Sequence, residues 1–382
     1  MSPGLYNLWW RLATQDRSAS WSDALLSAVL RAASVGYQAV VAGRNAAYDG
    51  GLIKPTRLSC PVISIGNVTV GGSGKTACVE LVTKHLTAMG RRVAILSRGY
   101  GGPPGPYALR WASGRLVVDS PDRRQRSVDE LADEPRMLAA RLDGVPVVVG
   151  ARRSETGRWA IKMWQPHVIV LDDGFQHRPL HRDCDIVLLP ARMPPAGWAL
   201  LPRGPMREPL SSLTRAQIMI LTKADQVEGT ALEALRECIR AVNPQAALLT
   251  AVHEPTDVLD GGSGALEPLA RLEGKQVGLV SSVGDPESVE QTVRQCGAQI
   301  AWHRSFPDHH AYTADDVAAV WDQVEAQRPD ALLTTEKDWV RLRQCLVASG
   351  QWPVPCWIIR VRMRILSGAD ALHDRLARVC SG

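Results

Sequence analysis

A doubly wound parallel α/β sheet is predicted for the first half of this chain, with a second, smaller α/β domain after it and an amphipathic helix before it. Three observations carry that prediction. Short apolar runs alternate with helical stretches, a glycine-rich loop joins the first run to the first helix, and the alternation changes character near residue 225 before it resumes. The loop is Val70-Gly71-Gly72-Ser73-Gly74-Lys75-Thr76, between an apolar strand at 61–65 and an amphipathic helix at 77–86. Small residues there let successive backbone N–H groups converge on phosphate oxygens at the positive end of the helix. Lys75 then reaches the β- and γ-phosphates and the Thr76 hydroxyl binds Mg²⁺. A bound nucleoside triphosphate follows, and the fold class sharpens to a P-loop NTPase-like sheet. Thr69 stands where the G-x-x-x-x-G-K-[ST] pattern has its first glycine, so Gly66-Asn67 is expected to supply flexibility at the loop's entry.

The remaining elements follow in order. In the N-terminal segment, 1–50, residues 21–41 place Leu25, Leu26, Val29, Ala33, Tyr37 and Val40 on one helical face and Asp23, Ser27, Arg31 and Gln38 on another. Spanning a bilayer takes about 20 mostly apolar residues, and Asp23, Arg31 and Gln38 interrupt this stretch, so a transmembrane role is not expected. The stripe either lies in the interfacial plane of an anionic leaflet or packs on the protein's own core. Strands at 93–96, 145–149, 167–173, 184–189 and 218–222 complete a sheet over residues 51–225, with ligands at the strand C-termini. A helix at 230–242, a strand at 246–251, a linker or loop at Gly261-Gly262-Ser263-Gly264, and strands at 277–281, 300–302, 331–334 and 357–361 make the smaller domain over 226–382.

Composition excludes several classes. With 45% hydrophobic and 22% charged residues the chain has ordinary globular content, neither fibrous nor disordered. The net charge of +5 is modest and no Lys/Arg run interleaved with aromatics marks a groove, so nucleic acid is not an expected partner. More than half of that excess, +3, lies in residues 1–60, beside Trp9, Trp10 and Trp21, a residue type that favours the lipid–water interface. Eight cysteines are scattered singly, with no C-x-x-C pair and no signal peptide, which points to reduced thiols in a cytosolic compartment.

The acidic groups can now be placed. An apolar strand runs directly into Asp172-Asp173-Gly174, where a P-loop enzyme keeps the acid that organises Mg²⁺. Asp133-Glu134-Pro135 precedes a helical run and by itself reads as N-terminal capping. Thr222-Lys-Ala-Asp225 is similar to the N-K-x-D guanine-reading element, which keeps open a soluble P-loop GTPase or ATPase of another class, or a metallochaperone. The lack of a Cys/His cluster argues against the last of these.

Seven ordered motifs go further. They are the 66–76 loop, Leu96-Ser-Arg-Gly-Tyr-Gly101, Asp133-Glu-Pro135, Leu171-Asp-Asp-Gly-Phe-Gln-His177, Leu201-Pro-Arg-Gly-Pro-Met-Arg-Glu-Pro209, Phe306-Pro-Asp-His309 and Thr335-Glu-Lys-Asp338. Together they resemble the lipid A 4′-kinase (tetraacyldisaccharide 4′-kinase) family over essentially the whole chain, Thr69 included. The departures are Ala132, where glycine is expected, and Ser73, where threonine is usual. The resemblance implies ATP- and Mg²⁺-dependent phosphorylation of the 4′-hydroxyl of lipid A disaccharide 1-phosphate, on the cytoplasmic face of a Gram-negative inner membrane, giving lipid IVA. It implies Asp133 as base, His309 as its proton-sharing partner, and Lys75 on the transferred phosphate. By motif position, Thr69 to Thr76 bind ATP; Arg98, Tyr100, Arg153, Gln176, His177, Arg207 and Glu208 bind substrate; and Thr76 with Glu134, Asp172 or Asp173 serves the metal. Because acyl chains must stay in or near lipid, the resemblance favours the interfacial reading of the N-terminal helix.

Overall fold

A computed structural model of the chain describes residues 21–100, 102–121, 127, 130–193, 198–308, 310–349 and 353–381, apart from the side chains of 21–24, 344 and 346–349. The elements are α1 (Trp21–Asp49), β1 (Val62–Asn67), α2 (Lys75–Ala88), β2 (Val93–Ser97), β3 (Tyr107–Ala112), β4 (Arg115–Asp119), α3 (Asp133–Arg141), β5 (Val147–Val149), α4 (Arg153–Trp164), β6 (Val168–Asp172), β7 (Cys184–Pro190) and β8 (Ile218–Thr222). They continue with α5 (Gly229–Val242), β9 (Ala247–Asp260), β10 (Leu266–Glu267), β11 (Gln276–Ser281), α6 (Pro286–Gln295), β12 (Gln299–Ser305), α7 (Ala314–Gln327), β13 (Ala331–Thr335), α8 (Glu336–Ser349), β14 (Cys356–Ser367) and α9 (Ala369–Ser381).

Two compact units result. The first ends at Val252 and takes the chain up again from Arg364, and the second is His253–Met363. The expected division at residue 225 therefore falls too early, since α5 and the start of β9 belong with the first unit. It also misses the return of the end of β14 and of α9 to that unit. The reason is pairing: β9 joins the first sheet in parallel through Ala247 to Thr250, opposite Ile218 to Leu221 of β8.

In the first unit the strand order is β9-β8-β7-β1-β6-β2-β5-β3-β4. Pairing is parallel from β9 to β5. Every residue of β1, β2, β6 and β8 is buried, the signature of strands covered on both faces and the reason they read as continuous apolar runs. On one face Val62, Ala94, Leu96, Ile169 and Leu171 pack with Ala160 of α4. At the far edge β3 is antiparallel to both β5 and β4. This hairpin was not expected from the apolar runs. Its turn, Ser113-Gly114, has φ of 52° and 76°, the doubly left-handed backbone of a two-residue hairpin loop.

The second unit repeats the logic at smaller scale. Its strands run β12-β11-β13-β14, all parallel. Adjacent residues face opposite ways: Val280, Leu332 and Ile358 pack with Val317 and Val320 of α7, while Leu279, Leu333 and Ile359 pack with Val293 of α6. The Gly261–Gly264 stretch is a tight hairpin turn between β9 and β10 rather than a linker. Asp260 Oδ1 accepts from the Gly262 and Ser263 amides at 3.1 and 3.0 Å.

Helix α1 runs eight residues beyond its expected end, and its faces divide differently from the expected stripe. Ser34, Val41 and Asn45 are buried, while Tyr37 donates from its hydroxyl to the Arg207 carbonyl at 2.8 Å and Ser34 to the Leu200 carbonyl at 2.9 Å. Tyr37 thus belongs to the face that packs on the sheet unit. Leu25, Val29, Val35 and Val40 lie on the other side, 57–72% exposed. By length and composition alone residues 25–49 are apolar enough to cross a membrane, Arg31 and Gln38 notwithstanding.

Candidate active site

The phosphate loop is held from several sides. Gly74 caps α2 at φ 84° and Gly71 stands at φ 99°, both in the left-handed region that glycine enters without strain. Asn67 Nδ2 donates to Ser73 Oγ at 2.9 Å, and Thr222 Oγ1 donates to the Ser73 carbonyl at 3.1 Å. At the loop's entry the Val70 amide donates to Pro205 and the Arg207 amide to Val68, at 2.8 and 2.7 Å, with Thr69 bridged to Met206. Thr69 therefore sits in extended, paired backbone, where a β-branched residue suits and glycine is unnecessary. The flexibility expected at Gly66-Asn67 is absent. Gly66 lies inside β1, where a Cβ would stand 2.6 Å from Phe175 Cβ and 2.7 Å from its amide nitrogen.

Around this loop Thr69 Oγ1, Asn67 Oδ1 and Gln176 Oε1 are buried without a partner among the described residues. Buried polar atoms are ordinarily satisfied, so this trio marks a cradle shaped for a polar ligand. Gln176 is fixed beside it, donating from Nε2 to the Asn67 carbonyl at 2.8 Å.

The acidic end of β6 lies next to the loop. Ser97 Oγ donates to Asp172 Oδ2 at 3.0 Å, and Asp173 turns the chain at φ 49°. Lys75 Nζ is 3.6 Å from Asp173 Oδ1 and Arg207 Nη1 is 3.2 Å from Asp173 Oδ2. Burial, then the Glu134 and Asp173 carboxylates, push Asp172 up to about 7. Burial pushes Asp173 up as well, but Lys75 and Arg207 outweigh it and hold this carboxyl below the usual range. Two adjacent carboxyls are thus pushed in opposite directions. Among the described residues no three His, Cys, Asp or Glu side chains form a metal cage. Mg²⁺ takes one or two carboxylates and fills its octahedron with waters and phosphate oxygens, and Asp172, buried beside Glu134 and Asp173, is a carboxyl that such an ion would fit.

Asp133 and Glu134 form the first turn of α3, where the helix dipole favours carboxylates. The amide just before them, Ala132 N, donates to the buried Tyr107 hydroxyl at 3.1 Å. Arg153 opens α4 and is nearly fully buried, with Nη1 donating to the Ala151 carbonyl at 3.4 Å. Burial lowers its pKa against the pull of Asp172. Burial, with the charges of Arg153, Arg182 and Arg98, pushes His177 down to about 4, so its imidazole is neutral at pH 7. Arg153 is therefore an electrostatic neighbour of Asp172 and Asp173, with Arg98 and His177 in turn beside Arg153, while Tyr100 is exposed.

A family model described as Tetraacyldisaccharide-1-P 4'-kinase matches residues 26–381. The chain belongs to that family. It is a kinase similar to the Tetraacyldisaccharide 4'-kinase of Anaeromyxobacter dehalogenans strain 2CP-C, 41% identical over 98% of this chain and 95% of the relative. The Syntrophus aciditrophicus protein of the same name is 36% identical over 88% of this chain and 89% of its own. Among solved structures, LpxK of Aquifex aeolicus in complex with ATP superposes with a TM-score of 0.70 at 28% identity, covering 93% of this chain and 99% of that one.

Within this member of the 4′-kinase family, one expected substrate residue has other work. Glu208 is fully buried; Arg215 Nη2 lies 2.9 Å from Oε2, Arg44 Nη2 3.1 Å from Oε1, and Asn45 Nδ2 donates to Oε2 at 3.0 Å. Its carboxylate is spent on anchoring α1, so it is not kept among the substrate ligands. His309 lies outside the described residues. Three positioning groups escaped the sequence reading: Ser97 on Asp172, Tyr107 under the α3 amide, and Asn67 on Ser73. Two of them had a signal, since Ser97 and Asn67 fall inside motifs. Tyr107 had none.

Proposed function

We propose that this kinase transfers the γ-phosphoryl group of ATP to the 4′-hydroxyl of lipid A disaccharide 1-phosphate, at the cytoplasmic face of a Gram-negative inner membrane, yielding lipid IVA and ADP. The observation that carries the reading is the convergence of Lys75 and Arg207 on Asp173, beside the buried Asp172 and within electrostatic reach of Glu134. Phosphoryl transfer asks for positioning and charge compensation more than for covalent chemistry. Thr76 and the carboxylates of Glu134, Asp172 and Asp173 would hold Mg²⁺, which supplies neutralisation of charge on the phosphate oxygens. Asp133 takes the acceptor proton, with His309 sharing it; in a loose transition state the hydroxyl acidifies late, so a carboxylate suffices. Arg98, Arg153, Gln176 and His177, with Tyr100, meet the disaccharide and its phosphate, arginine supplying two parallel N–H groups to phosphate oxygens.

Labelled ATP, Mg²⁺ and lipid A disaccharide 1-phosphate in detergent should give a bis-phosphorylated lipid. Asp133→Ala should lower kcat on the order of 10²-fold while ATP affinity stays the same, the expected loss for a positioned base. No transfer by the unaltered protein would sink the reading.

The exposed face of α1 supports peripheral or monotopic attachment to the membrane. Replacing Leu25, Val29 and Val40 with Glu should release the protein from anionic vesicles and raise the KM for lipid acceptor. Each side chain withdrawn from lipid removes roughly 1.5–3 kcal/mol of apolar burial. All three are exposed, so thermal stability should not change. A triple variant that melts early, with wild type that never binds vesicles, would assign this face to a protein contact instead.

A further inference from the structure

Two helices begin at the phosphate site, and a buried ion pair joins them away from it. Lys75 is the first residue of α2 and Asp133 the first of α3, so the phosphate-facing ammonium and the carboxylate read as base each sit at a helix N-terminus. Glu80 lies about 7.5 Å farther along α2 and is buried. Its Oε2 is 2.5 Å from Nη1 of Arg141, the last residue of α3 and about 12 Å from Asp133 along that axis. Both side chains are less than a tenth exposed. Lys84 also reaches Glu80, 2.6 Å from Oε1, but its side chain is 60% exposed, where an ion pair contributes little. Helix α3 depends on such fastenings, because a helix of 9 residues does not hold itself in water and its place is set by what it touches. Pro135, Leu138 and Ala139 bury its apolar side where α3 meets β3 and β5. That contact is non-directional and sets no register. Direction comes from the ends: the Tyr107 hydroxyl accepts the Ala132 amide at one, and Glu80 holds Arg141 at the other.

We propose that Glu80 and Arg141 are positioning residues for phosphoryl transfer, their ion pair fixing the register of α3 against α2 and with it the offset of Asp133 from Lys75. The inference rests on the reading of Asp133 as base and Lys75 as phosphate ligand. A buried ion pair is a poor stabiliser, since desolvating both charges consumes most of their attraction, and an apolar pair of similar volume commonly holds a fold as well. What the apolar pair lacks is direction. Transfer depends on direction, because a displacement of about 1 Å at the reacting groups costs on the order of 10²-fold in rate.

The double variant Glu80→Leu with Arg141→Met separates position from stability. It should melt at or above the wild-type temperature and bind ATP unchanged, yet lower kcat for transfer to lipid A disaccharide 1-phosphate on the order of 10-fold. Arg141→Lys, which keeps a charge and loses the planar fork, should retain more kcat than Arg141→Met. Amide exchange in α3, measured on the full chain without nucleotide, should quicken in the double variant while α2 keeps its protection. Wild-type kcat in the double variant overturns the proposal. So does early melting with kcat and ATP affinity lost together, or an Arg141→Lys variant no better than Arg141→Met. If even the unaltered chain phosphorylates no lipid, the lipid-kinase reading falls and exchange in α3 decides alone: faster exchange keeps the clamp, and unchanged exchange removes it.

Discussion

Replacing Lys75 with alanine is expected to lower phosphoryl transfer by 10²-fold or more, about 2.7 kcal/mol of transition-state stabilisation, with the fold intact. Lys75 is the first residue of α2, set by the left-handed Gly74 where the helix dipole and loop amides already favour anions. Its ammonium adds a full charge where negative charge accumulates as the γ-phosphoryl departs. The local structure should survive because Asp173 keeps Arg207 at 3.2 Å when Lys75 is lost. Single-turnover rates with lipid acceptor, set beside the melting temperature, check this. Wild-type turnover would make the loop a structural turn, and a collapse in stability would make Lys75 a clamp on Asp173 rather than a ligand for phosphate.

Why the phosphate site was readable in advance, and the anchoring of α1 was not, comes down to the range of the interactions. β1, β2, β6, β7 and β8 are buried on both faces, so each appears as an apolar run, and the loop and acidic pair sit at their C-terminal ends by the logic of parallel sheets. The β3–β4 hairpin is only partly buried, lacks such a run, and betrays itself only through Ser113-Gly114. Asp133 shows a capping pattern like any helix start, so its chemical role came from resemblance alone. Glu208 was misread for a different reason: motif membership signals that a residue matters without saying whether it touches substrate. The partners that consume its charge, Arg44 and Asn45, lie more than 160 positions earlier in the chain.

Glu208→Ala should therefore act on stability before it acts on chemistry. The carboxylate is fully buried between Arg215, itself stacked 4.3 Å over the Phe175 ring, and the Arg44–Asn45 pair on α1. Deleting it leaves Arg215 as an unpaired charge in the interior, a change that typically costs about 3–5 kcal/mol and so lowers the melting temperature by roughly 10 °C. Burial raises the Glu208 pKa, but Arg215 and the hydrogen bonds from Asn45, Ser212 and Arg215 outweigh it and hold it below the ordinary glutamate value. A depressed carboxyl stabilises the fold above its unfolded pKa of about 4.3, and that contribution disappears as pH falls through the folded value. The gap in stability between wild type and variant should accordingly be full at pH 7 and narrow below about pH 4. Because Arg207, one residue back, donates its amide to Val68 and holds Asp173 while its carbonyl accepts from Tyr37, the loosened helix should also disturb the phosphate site and lower kcat secondarily. Melting curves across pH separate the two roles of Glu208. An unchanged melting temperature with a raised KM for the lipid would return Glu208 to the substrate ligands, whereas early melting at pH 7 that the wild type comes to share toward acid pH fixes it as the anchor of α1.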